Sequence, residues 1–131
     1  MDKQTTDYFT SIIAQAQANF EQVQYTVDST PKRAILRLKA VYDSYQILVT
    51  ELLSDEERKY RYYILQENWV EAGFDNAPDP RAIRLKYGKI GHEHTGELIP
   101  HLHLENKNEL LLTEDMTFER FVDWLKENLR R

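Results

Sequence analysis

The chain contains no cysteine, so disulfides play no part in it and nothing in its composition suggests export. No apolar run approaches the roughly 18 residues needed to span a bilayer, which excludes a membrane helix. The start, MDKQTTDYFT, lacks the basic residues and apolar stretch of a signal peptide, and the expectation is a cytoplasmic protein. An excess of positive charge is missing too. With 17 Lys and Arg against 22 Asp and Glu, the net charge of −5 argues against a broad electrostatic grip on nucleic-acid phosphates. Repeats, low-complexity tracts and linker-like segments are absent. At 131 residues, 41% hydrophobic and 30% charged, the sequence predicts one domain over 1–131.

What is present is a change of hydrophobic period. Tyr8, Phe9, Ile12, Ile13, Ala16, Phe20 and Val23 recur at three- and four-residue spacing, which predicts an amphipathic helix capped by Thr5 or Thr6. After Asp28-Ser29-Thr30-Pro31, Leu36, Leu38 and Ala40 alternate with Arg37 and Lys39 at the period of a half-buried strand. Asp43-Ser44 and Glu67-Asn68 then break strand-like runs as tight turns, and SDEER reads as a charged loop, giving a meander through YQILVTELL, KYRYYILQ and WVEAGFDN. Residues 76–91 carry Pro78, Pro80, Gly88 and Gly91 and read mostly as loop, with a helical turn open between Arg81 and Tyr87. Glu97 to Leu104 reads as extended, Glu105 to Asn108 as a turn, and Glu109 to Leu112 as a short strand. Thr117 caps a closing helix with the stripe Phe118, Phe121, Val122, Leu125 and Leu129, ending in Arg130 and Arg131. The predicted fold is α+β: an N-terminal helix, an antiparallel meander of four to six strands, and a C-terminal helix on one side of the sheet.

All four histidines fall in one twelve-residue window, as His92-Glu93-His94 and His101-Leu102-His103. On a strand, side chains at i and i+2 share a face, so each pair presents two imidazoles together. A turn near Thr95-Gly96 would set His92 opposite His103 and His94 opposite His101, a four-imidazole site for zinc, copper or nickel. The alternative needs no metal or other cofactor: one or two histidines act as acid and base beside a cation. RNA suits that chemistry, because its own 2′-hydroxyl is the nucleophile. The plainest alternative has His101 and His103 as partly exposed strand residues bonded to loop carbonyls, with Leu102 and Leu104 facing the core.

Two flanking segments bear on that choice. Arg81, Arg84, Lys86 and Lys89 lie upstream with no acid among them, forming either a phosphate-binding patch or a solvated loop. Asp75-Asn76-Ala77-Pro78 ends the fourth predicted strand. There Asp75 either fixes the corner through backbone amides or orients a histidine tautomer from the neighbouring strand.

Taken in order, YRYYILQENWVEAGFDNAP and IPHLHLE resemble the TumE-like family of small bacterial toxins, and the likeness in element order extends over nearly the whole chain. Gly73 stands where that family commonly has Arg, and Asp79-Pro80 where histidines are common. By match to the motif, Asp75, Asn76, Pro78, His101 and His103 are the residues carried over. The resemblance implies a toxin–antitoxin system with a helix-turn-helix antitoxin as partner. By analogy it implies the topology of small ribonuclease toxins of the RelE type. The expected function is therefore a toxin that cleaves RNA without a metal, while the acidic chain leaves open a ribosome-bound or tRNA-like target or an activity unrelated to RNA. His101 and His103 are its acid–base pair, with Asp75 and Asn76 beside them, and Arg81, Arg84 and Lys86 hold phosphate. The rival is a non-enzymatic module whose histidine face, His92, His94, His101 and His103, binds a partner or a metal. Monomer or homodimer stays open.

Overall fold

In the computed structural model, residues 1–89 and 92–129 are described; Ile90, Gly91, Arg130, Arg131 and the side chain of His92 lie outside them. Helix α1 runs Lys3–Asn19 and is capped not by Thr5 or Thr6 but by Asp2, whose carboxylate accepts the Thr5 N–H at 2.7 Å. It stops short of Val23. Phe20 is already extended, and the chain continues as β1, Glu21–Ser29, a strand that the sequence did not announce. The reason is its position at the sheet edge: nearly every residue of β1 is exposed and its register slips between Glu21 and Gln24, so no alternation marks it.

From there the meander is regular. Strands β2 (Arg33–Tyr42), β3 (Tyr45–Ser54), β4 (Arg58–Gln66) and β5 (Trp69–Asp75) follow through short connections. Asp43 and Glu67 take the left-handed backbone, φ 56° each, that the two tight turns require. After helix α2 (Pro80–Tyr87) and a 3₁₀ turn at His92–His94, strands β6 (His101–Leu104) and β7 (Glu109–Leu112) complete a seven-stranded antiparallel sheet in the order β1 to β7. Helix α3, Phe118–Asn128, closes the described chain, with Thr117 as its cap. The fold class is α+β. Residues 80–87 form a full helix rather than mostly loop, because Asp79 caps it, Pro80 occupies the first turn where its missing N–H costs nothing, and Gly88 ends it at φ 79°.

The two faces of the sheet differ. One carries Leu36, Leu38, Ile47, Val49, Tyr62, Ile64, Ala72 and Phe74, packed against Phe9, Ile12 and Ala16 of α1 and Phe118, Phe121 and Leu125 of α3. Within this apolar layer sits one carboxylate, Glu51, fully buried and 3.1 Å from the Arg58 guanidinium, with the Tyr8 and Tyr62 hydroxyls donating to it. The opposite face carries the residues that register with Arg37, Lys39, Arg61 and Tyr63, including Asp75, His101 and His103. Among the described residues its only cover is at the β6–β7 end, where Ala82 and Ile83 of α2 pack with Ile99 and Leu110. No helix among the described residues is long and apolar enough to cross a membrane.

Candidate functional site

Asp75 ends β5 directly opposite His101 of β6 and Arg61 of β4, while His103 lies opposite Gly73, itself opposite Tyr63. Cross-strand partners share a face, so three strands of one sheet deliver a carboxylate, two imidazoles and a phenol to one spot. His101 Nε2 stands 3.0 Å from Asp75 Oδ1, and His103 Nε2 stands 3.4 Å from Asp75 Oδ2. The two Nε2 atoms are 3.1 Å apart. The Tyr63 hydroxyl donates to Asp75 Oδ2 at 3.0 Å, and the Ala77 N–H donates to Oδ1 at 3.0 Å. Asp75 thus fixes the corner and contacts the histidines at once. Gly73 matters here because a Cβ at that position would lie 2.8 Å from the Tyr63 ring.

Protonation follows from the partners. His101 Nδ1 is 2.6 Å from the Ile99 carbonyl, which can only accept, so Nδ1 carries a proton. Nε2 can then donate to Asp75 only as part of an imidazolium. Burial works against that charge, but the hydrogen bond to Asp75 and the Ile99 carbonyl outweigh it and raise the His101 pKa above its ordinary value. Burial likewise pushes Asp75 up, and the bonds from His101 and His103 overcome it, holding the carboxyl far below the usual carboxylate range. Both shifts favour a proton held between Asp75 and His101.

A pH dependence of stability follows. The raised His101 pKa contributes stability that is full below about pH 6.5 and fades as pH climbs through the folded value. The lowered Asp75 pKa contributes stability present above about pH 4 and lost on acidification. The melting temperature should therefore be highest between those limits, and the decline above pH 6.5 should be smaller in His101→Gln. A scan in which both proteins follow parallel curves would remove the pair as the cause.

Both histidines are nearly inaccessible, 1% and 4% exposed, yet they floor a crevice of about 200 Å³. Its walls are Arg61, Tyr63, Pro78, Asp79, Arg81 and Lys107. Arg81 bonds the Lys107 carbonyl at 2.9 Å and brings Nη2 to 3.5 Å from His103 Nδ1. Lys107 belongs to a β6–β7 turn in which Glu105, Asn106 and Lys107 all have positive φ, a left-handed stretch costing about 1–2 kcal/mol per residue. Asn106 anchors it by exchanging bonds with Val70, donating its N–H to the carbonyl and accepting the Val70 N–H at its side-chain oxygen. Strain of this kind persists only where the surroundings enforce it, and here it sets the Lys107 ammonium 5.0 Å above the Tyr63 ring at the rim of the crevice.

The other residues singled out from the sequence fall differently. Asn76 is buried and uses both ends of its amide on the β4 backbone, accepting the Tyr60 N–H and donating to the Arg58 carbonyl, so it clamps the corner. Arg84 and Lys86 do not line the crevice; Lys86 pairs with Glu97. His94 stacks on Tyr87 at 3.5 Å and bonds Glu97, away from the pair, and the 3₁₀ turn at His92–His94 replaces the strand that a four-histidine hairpin requires. Among the described residues, the one group with metal-ligand geometry is Asp75, His101 and His103. Tyr63, Arg61 and Lys107 were not anticipated, and a regular strand count across the Glu67-Asn68 turn sets Tyr60 rather than Arg61 opposite Asp75. Comparison with protein-family models, curated proteins and solved structures found no match.

Proposed function

We propose that the protein is a metal-independent RNA-cleaving enzyme, and that it serves as the toxin of a toxin–antitoxin pair whose partner is a helix-turn-helix antitoxin. The observation that carries the enzymatic reading is the buried Asp75–His101–His103 group at the floor of a crevice walled by Arg61, Arg81 and Lys107. Such a group supplies what the reaction needs. One histidine takes the proton of the 2′-hydroxyl, the imidazolium gives a proton to the departing 5′-oxygen, and the cations offset charge on the phosphorane. Arg81 accepts no proton, so its approach to His103 Nδ1 favours His103 with Nδ1 bare, and His101 is the natural acid. At about 200 Å³ the crevice suits one phosphodiester and its ribose rather than a base pair. The toxin role rests on the motifs around Asp75-Asn76-Ala77-Pro78 and Pro100-His101-Leu102-His103, which adjoin in the fold.

Expression of the chain alone in bacteria is the test. Growth arrest and RNA breakage are expected for the wild type and not for the His101→Ala, His103→Ala variant; wild-type cells that keep dividing with intact RNA would remove the toxin reading for that host.

A second reading has one observation in its favour. Three ligand atoms held about 2.0–2.2 Å from a single ion stand roughly 3–3.5 Å apart; the two imidazole nitrogens here are 3.1 Å apart, and one Asp75 oxygen completes a set whose members all lie within 4.8 Å of one another. The His101 Nδ1–H to carbonyl bond is also the outer contact that metal-bound histidines commonly make. In this reading the protein is a binding module that holds a divalent transition metal. Untagged protein carrying about one equivalent of metal, with a melting temperature lowered by chelator, would establish it in place of proton transfer.

A further inference from the structure

The uncovered sheet face is not flat. Three depressions lie end to end across it. The first, about 400 Å³, is lined by Gln24, Thr26, Arg37, Lys39, Leu48 and Thr50. The second, about 230 Å³, shares Thr50 with the first and adds Leu52, Lys59 and Arg61. The third is the histidine crevice, which shares Arg61 and Ala77 with the second. Together they make one furrow running perpendicular to the strands.

Register aligns this furrow. Arg37, Thr50, Arg61, Asp75 and His101 are successive cross-strand partners on β2 to β6, so their side chains point to the same face in a single row. At about 4.8 Å per strand the row from Arg37 to His101 covers roughly 19 Å, and β1 extends it to about 24 Å. The lining holds six basic residues, Arg37, Lys39, Lys59, Arg61, Arg81 and Lys107, against two acids, Asp75 and Asp79. In a chain of net charge −5 this segregation is the opposite of the average surface. Lys39 and Arg61 have no ion-pair partner among the described residues, and the Arg37–Asp28 pair, at 3.5 Å with both side chains more than half exposed, leaves Arg37 free to exchange it for another anion.

We propose that this furrow is a track for a single strand of RNA, whose backbone phosphates lie along Arg37, Lys39 and Arg61 while the scissile phosphodiester enters the crevice above His101. The proposal rests on the RNA-cleavage reading and adds to it the form of the substrate and its path. A polyanion of evenly spaced charges matches a row of cations, and a length of 24 Å takes on the order of four nucleotides, the low end for single-strand sites on small β-folds. A single strand can bend to bring one phosphodiester into a crevice of about 200 Å³, whereas a duplex holds its phosphates on a stiff cylinder, so the crevice favours the single strand.

The test measures binding apart from cleavage. A fluorescent ten-nucleotide RNA with every 2′-hydroxyl methylated offers the charge and shape without the nucleophile. Wild-type protein should bind it more tightly than the matching duplex. Arg37→Glu with Lys39→Glu, both exposed on β2, should weaken binding at least tenfold and flatten the dependence on salt, since each lost phosphate contact removes a slope of about 0.7. Lys3→Glu with Lys126→Glu makes the same change in net charge on α1 and α3, on the other side of the sheet, and should alter affinity less than twofold. The track is overturned if no binding occurs, if the duplex binds as well, or if the two double variants lose affinity equally. Binding without any cleavage of the unmodified strand removes the enzymatic reading and keeps the track. Cleavage whose KM is indifferent to Arg37→Glu, Lys39→Glu removes the track alone.

Discussion

Replacing Asp75 with asparagine is expected to slow cleavage of a single-stranded RNA by about 10²–10⁴-fold, the range associated with losing a positioned acid or base. Asparagine keeps the shape and retains an oxygen for one of the bonds from Tyr63, Ala77, His101 and His103. It removes the charge that holds His101 as an imidazolium. The His101 pKa should therefore fall, and the residual activity should peak at lower pH than in the wild type. That second readout separates an electrostatic role from a merely structural one, because a loosened corner lowers the rate without moving the profile. His101→Ala should lose a similar factor. The double variant should be little worse than either, since residues acting as a unit are not additive. Single-turnover rates across pH 4–9 decide it: an Asp75→Asn enzyme with undiminished rate and an unmoved optimum would take the pair out of the chemistry.

The largest effect on stability is expected on the other side of the sheet. Arg58 is the hub of a buried network: its guanidinium contacts Glu51, Tyr8, Tyr62, Asp115 and the Met116 carbonyl, tying β3 and β4 to α1 and to the segment leading into α3. Burial raises the Glu51 pKa even with Arg58 beside it. Arg58→Met leaves that carboxylate with no cation in an apolar layer, for which a cost of about 3–5 kcal/mol is typical. Against a total of about 5–15 kcal/mol this is a large share, and the melting temperature should drop by roughly 10–20 °C. Because the stranded group is an acid with a raised pKa, the deficit should grow as pH rises and shrink on acidification. Adding Glu51→Gln should recover part of the loss, as the hydroxyls of Tyr8 and Tyr62 keep an amide to bond. A urea titration giving less than about 1 kcal/mol for Arg58→Met would place the pair among ordinary surface ion pairs.

Much of the architecture was legible because it is written in periodicity. The strands from Arg33 to Asp75, the turns at Asp43-Ser44 and Glu67-Asn68, and the Thr117-capped helix all follow from alternation, polar breaks and caps. Strand β1 was not, since an exposed edge strand has no buried face to imprint a pattern. Helix α2 was obscured by two prolines whose effect depends on whether they fall in a first turn or an interior. At the site, alternation within His101-Leu102-His103-Leu104 set the two histidines on one face, and the motif placed Asp75 near them. Their burial was not legible, because α2, distant in the pattern, covers that end of the sheet.

The meeting of Asp75 with the histidines shows where local reasoning ends. Counting back from the Gln66–Trp69 pair across a regular hairpin sets Asp75 opposite Tyr60, on the face packed by the helices. A bulge between the Leu65–Val70 and Ile64–Ala72 pairs shifts the register by one residue and brings Asp75 opposite Arg61 instead. One residue of slip changes the face of everything beyond it, and whether a bulge forms depends on how Ala72 and Phe74 pack under α3, not on the residues at the bulge alone. By itself, then, the sequence determined the elements other than β1 and α2, the α+β class and the shared face of His101 and His103, all set by side-chain period within a segment. Only the tertiary structure decided that Asp75, Tyr63 and Arg61 join them, that His94 does not, and that basic residues of β2, β4, α2 and the β6–β7 turn form one furrow, because each depends on how segments far apart in the chain come together.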